Sequence, residues 1–83
     1  MSDNGSNNGL TPRQIEILSL ATHSNSEIAC RLKISVRTVR NHWSHILERL
    51  NCFNRTQAVF VAIDRGIISL DDVERGPLRR NWY

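Results

Sequence analysis

The chain has 83 residues, room for one small domain and none for a separate sensor or catalytic domain. Hydrophobic content of 40% with only 6% aromatics, two prolines and four glycines excludes a β-rich or low-complexity chain and fits a helical core of aliphatic residues. The net charge of +3 is uneven: residues 31–55 hold six basic residues against the single acid Glu48, the footprint of a polyanion binder.

Ten of the eleven basic residues are arginine, which suits bidentate contact with phosphate or guanine. No apolar run is long enough to span a bilayer, and no export signal is read. Cys30 and Cys52 lack metal-site spacing and are expected to be reduced packing residues. A cytoplasmic, prokaryote-like setting is the expectation.

Residues 1–9, mostly Asn, Ser and Gly, show no periodicity and are expected to be a disordered leader. The ordered domain is expected over 10–68, with 69–83 as a C-terminal tail. Thr11-Pro12-Arg13-Gln14 is a helix start: Thr11 as N-cap, Pro12 at N1 and Gln14 closing a capping box. Leu10 and Ile15 are placed to form the hydrophobic staple. The first helix should run to about Ala21, with Ile17, Leu18 and Ala21 inward. Thr22-His23 connects it to a second capping box, Ser24 to Glu27. The second helix, about Asn25 to Leu32, turns Ile28, Ala29 and Leu32 inward. At two turns it is too short to stand alone and must dock.

Lys33-Ile34-Ser35 is the turn, with Ile34 as a buried plug and Ser35 as the next N-cap. The third helix, 36–50, has two faces. Val39, Trp43, Ile46, Leu47 and Leu50 form an apolar stripe at helical period. Arg37, Arg40, Asn41, Ser44 and His45 lie off it and can grip phosphate or read base edges. Asn51 suits a left-handed C-cap, and Cys52 and Phe53 are expected to face inward. Asn54 caps a fourth helix with Gln57 at N3, running to about Arg65 and stopping at Gly66. It is apolar almost all round. Ala58, Val59 and Ala62 share one face, while Phe60, Ile63 and the following Ile67 lie nearer the opposite side. That second face reads as a partner or dimer interface. Ser69 to Asp72 can cap one further helical turn, ending at Gly76-Pro77. No period is legible in the last six residues.

These residues resemble a known family. Leu10-Thr11-Pro12-Arg13, Asn25-Ser26-Glu27-Ile28-Ala29, Ile34-Ser35, Thr38-Val39-Arg40-Asn41-His42, Ile46, Arg49-Leu50, Asn54-Arg55-Thr56-Gln57-Ala58-Val59 and Gly66-Ile67 are similar to the LuxR-type (GerE-type) helix-turn-helix domain, in order and with near-family spacing from Leu10 to Ile68. The resemblance implies an all-α, four-helix DNA-binding domain of transcription regulators. Its third helix enters the major groove and its fourth supports a homodimer. It implies base reading from Arg40, Asn41 and Ser44. It also implies phosphate contacts from Arg37, Thr38, His45 and Arg49, and from Asn25 and Ser26 at the start of the second helix. The dimer residues are then Phe60, Ile63 and Ile67. The chain departs from the family pattern in four ways. Thr22-His23 replaces a usual glycine, Ser26 a common basic residue, Trp43 a smaller aliphatic one, and Asn51 a frequent glycine.

Competing chemistry finds less support. His42 and His45 are three apart on a helix, but no full set of metal ligands accompanies them, so no metal or other cofactor is expected. Ser44, His45 and Glu48 point in diverging directions on one helix, and nothing else supports an enzyme. The expected partners are therefore double-stranded DNA and a second copy, with a contact to RNA polymerase left open. Neither a membrane nor a small-molecule ligand is expected. Two alternatives stay open: a module like sigma-factor region four, and a protein-interaction module binding another regulator through the fourth helix and the tail.

Overall fold

A computed structural model describes residues 9–73, so the expected leader, apart from Gly9, and the tail beyond Val73 lie outside the described residues. Among these the order is α1 (Pro12–Ser19), α2 (Asn25–Leu32), α3 (Val36–Leu50), α4 (Arg55–Asp64) and a single 3-10 turn, Leu70–Asp72. The fold is all-helical, as expected, and the further turn after α4 is present. No described helix is long and apolar enough to cross a membrane.

Local chemistry sets the helix starts. Thr11 Oγ1 accepts from the Gln14 N–H at 3.1 Å, and Gln14 Oε1 accepts from the Thr11 N–H at 3.1 Å. Ser24 and Glu27 repeat this reciprocal box at 3.1 and 3.0 Å. The Ser24 N–H holds the exposed Glu27 carboxylate below its usual pKa. Ser35 caps α3 by accepting from the Thr38 N–H at 3.0 Å. Asn54 caps α4 through the Gln57 N–H at 2.9 Å, but the Gln57 side chain accepts from the Phe53 N–H at 2.7 Å instead of closing a box.

Three helix ends turn on left-handed residues. Asn51 (φ 59°) ends α3 as expected, with the Cys52 N–H returning to Leu47 O at 2.8 Å. Gly66 (φ 76°) follows α4, and the Ile67 N–H returns to Ala62 O at 2.8 Å. Lys33 (φ 60°) does the same after α2, where a Cβ makes the conformation costly. α1 stops at Ser19, short of Ala21, because the chain tightens there. The N–H groups of Leu20 and Ala21 reach back only three residues, to Ile17 O and Leu18 O.

The core lies where α1, α2 and α4 close on the inner side of α3. Leu10, Ile17, Leu18, Ile28, Val39, Ile46, Leu50, Ala58 and Ala62 are buried, and Leu20 and Ile68 join them. Trp43 is buried too, at 5% exposure, so the apolar stripe of α3 is the floor of the core. Ala58 and Ala62 matter because small side chains let the α4 backbone approach α3 closely.

Several expected inward residues behave otherwise. Ile34, Leu47 and Cys52 are half-buried, packed against the core rather than within it. Phe53 is 89% exposed: in the short link from α3 to α4 its N–H is held by Gln57 and its ring stands in solvent. Cys30 is an exposed free thiol on the outer face of α2, not a packing residue.

Candidate nucleic-acid interface

The burial of one side of α3 decides what the other side presents. With Val39, Trp43, Ile46 and Leu50 locked inward, Arg37, Arg40, Asn41, Ser44, His45, Glu48 and Arg49 are all exposed. Arg37, Arg40 and Ser44 follow at helical spacing along one strip, with Asn41 beside Arg40. Among the described residues neither Arg37 nor Arg40 enters an ion pair, in contrast to Arg13, whose Nη1 stands 3.2 Å from Glu16 Oε1. Two unneutralised guanidiniums beside an amide and a hydroxyl form a surface suited to phosphates and base edges. Glu48 marks the lower limit of the strip, where the surface ceases to be purely basic.

The flanking candidates are held in different ways. Thr38 is half-buried and its hydroxyl hydrogen-bonds with that of Ser35 at 2.9 Å. Arg49 folds toward the N-terminal edge of α1, where a Cβ on Gly9 would overlap its guanidinium. With Gly9, Thr11, Gln14, His45 and Glu48 it lines a polar cleft of about 440 Å3. His42 is half-buried, and burial, reinforced by Arg13 and His45, lowers its pKa below the ordinary 6.5. Ser26 is exposed at the start of α2. Asn25 beside it is already engaged: its Oδ1 accepts from Arg55 Nη2.

Arg55 received no role from sequence reasoning beyond its place in the basic segment and the family-like start of α4. In the structure it is the most connected side chain near the interface. Nη1 donates to His23 O at 2.9 Å and to Ala21 O at 3.4 Å, and the guanidinium carbon stands 4.6 Å from the Trp43 ring centroid. Burial lowers its pKa from the usual arginine value. An arginine at N1 of a capped helix next to a basic segment gave no local sign of these contacts, all more than ten residues away in the chain.

On α4 Phe60 is 70% exposed, whereas Ile63 and, just after the helix, Ile67 are half-buried. Phe60 and Ile63 line an apolar groove of about 380 Å3 with Ala21, Val59, Leu70 and Val73, and with Arg55 and Thr56 at its polar edge. Ile67 is packed against the core and does not line that groove. Among the described residues no cluster of three metal-ligating side chains occurs, and no hydrogen bond links Ser44, His45 and Glu48.

Residues 8–62 match the family described as bacterial regulatory proteins, luxR family. The chain belongs to the luxR family. Its relatives include the transcriptional regulatory protein DegU of Brevibacillus brevis, 44% identical over 63 residues, an alignment covering 74% of this chain and 27% of DegU. The response regulator protein VraR of Staphylococcus aureus is 44% identical over 61 residues, covering 71% of this chain and 29% of VraR. The luxR-family chain thus spans under a third of the length of these relatives. No solved structure gives a significant match.

Proposed function

We propose that this luxR-family chain binds double-stranded DNA sequence-specifically in transcription regulation, with α3 in the major groove. The observation that carries the reading is the division of α3: a buried apolar stripe fixes the helix, and an exposed strip of arginines and short polar side chains faces away. The naming of DegU and VraR as regulators supports it.

In this reading Arg40 takes guanine O6 and N7, Asn41 takes adenine N6 and N7, and Ser44 reads a neighbouring edge. Arg37, Thr38, His45 and Arg49, with Asn25 and Ser26, hold the phosphates and fix the register. Attraction to phosphate brings the protein to any duplex, and α3 then selects the site. Two copies meet through Phe60, Ile63 and Ile67 and read half-sites about 34–36 Å apart. The exposure of Phe60 beside an apolar groove supports that role for α4.

Titration of a duplex selected from a random pool, and of a random duplex of equal length, over a range of salt tests this. The wild-type chain is expected to bind both with salt-dependent affinity and to prefer the selected one. Absence of binding to any duplex at low salt would refute the reading.

A further inference from the structure

We infer that Arg55 is a positioning residue for DNA binding, acting through Asn25: it fixes the Asn25 carboxamide so that its NH2 arm is presented to a DNA phosphate at the start of α2. The inference rests on the DNA-binding reading and assigns a role to a residue outside the α3 strip.

Arginine has five N–H donors and no acceptor, so any group it meets must offer an oxygen. Nη2 of Arg55 therefore selects the Oδ1 side of Asn25 and decides an amide orientation that is otherwise ambiguous. The Nδ2 arm, the donor, is turned away from Arg55. Asn25 occupies N1 of α2, where the helix leaves backbone N–H groups free and its dipole favours an anion. A donor side chain pinned at this end costs no ordering when a phosphate arrives.

Arg55 holds that end of α2 in place as well. Its Nη1 takes two carbonyls of the α1–α2 connection, Ala21 O and His23 O, that no helix bond satisfies. Its face lies over Trp43, on the same turn of α3 as Ser44 and one turn beyond Arg40. One side chain thus ties the connection, the first residue of α2 and the floor of the recognition helix together. Lysine in its place keeps the charge but cannot make this fork.

The test uses the 83-residue chain, the selected duplex and the random duplex, with Arg55→Lys, Asn25→Ala and the double variant. Each folded single variant, checked by circular dichroism at the assay temperature, is expected to lose about tenfold in affinity for the selected duplex. The double variant should lose no more than either, because the two residues act as one unit. The slope of log affinity against log salt should not change, since Arg55 itself does not neutralise a phosphate. A slope lower by about 0.9 in the charge-removing variant Arg55→Gln would mean direct phosphate contact and overturn the inference. So would wild-type affinity in either folded single variant, or additive losses in the double. Should Arg55→Lys not fold, Asn25→Asp serves: it keeps an acceptor for Arg55 but removes the donor arm. A loss of more than about tenfold is expected there, because the new carboxylate also repels the phosphate, and unchanged affinity overturns the inference. Failure of the wild-type chain to bind any duplex would remove the DNA reading itself, a different outcome from binding that ignores these substitutions.

Discussion

The outer strip of α3 and the outer face of α4 are both exposed, yet they expose opposite chemistry. α3 buries large apolar side chains and presents Arg37, Arg40, Asn41 and Ser44. α4 buries only Ala58 and Ala62 and leaves Phe60 in solvent. The first surface fits a polyanion whose contacts weaken with salt; the second fits an apolar partner whose contacts do not. The lesson is that helix burial alone does not locate function. What the buried face leaves on the other side does.

Substitutions can break each half of this contrast. The largest effect is expected at Trp43, the floor under the α3 strip. Trp43→Ala removes a buried ring and the seat of Arg55, at a cost of about 3–5 kcal/mol, and thermal melting should show a chain near or past its unfolding limit. Trp43→Leu should be milder, because it also removes a buried indole Nε1 that has no hydrogen-bond partner among the described residues.

Phe60→Asp should leave the fold intact and convert any dimer to a monomer by sedimentation. Affinity for a two-half-site duplex should then fall about a hundredfold or more through lost avidity. A sedimentation profile unchanged by Phe60→Asp would remove α4 from the dimer account. Arg40→Ala should cost about 1–3 kcal/mol of discrimination between selected and random duplex while retaining non-specific binding. Equal loss on both duplexes would make Arg40 a phosphate residue instead.

Lys33→Gly should raise stability by about 1 kcal/mol in chemical denaturation, by relieving a left-handed residue that carries a Cβ. The smallest effect concerns pH. The folded pKa of His42 is depressed, so the unfolded chain binds its proton more readily. The stability it contributes is present above the unfolded pKa and is lost as pH falls toward the folded one. Melting temperatures should therefore decline on acidification below about pH 6.5, and less so in His42→Gln.

Much of this architecture was legible because it is local. The capping boxes at Thr11 and Ser24, the N-caps Ser35 and Asn54 and the left-handed Asn51 each depend on residues three or four apart. The α3 strip was legible for the same reason, since period alone separates Val39 and Trp43 from Arg40 and Ser44. Phe53 and Cys30 were misplaced because hydrophobicity on a two-turn helix or in a short link does not fix which way a side chain points. α1 ended early because Leu20 and Ala21 shifted to three-residue hydrogen bonds, which no residue type there announces. Arg55 stayed hidden because its partners, Ala21, His23, Asn25 and Trp43, become its neighbours only after folding.

The central claim is that the α3 strip is the surface that meets DNA. Titrating the isotope-labelled chain with the selected duplex and following backbone amide signals tests it most directly. The account predicts the largest changes at Arg37, Arg40, Asn41 and Ser44, with smaller ones at Asn25 and Ser26 and none centred on Phe60. Changes centred on Phe60 and Ile63 with a silent α3 would contradict it.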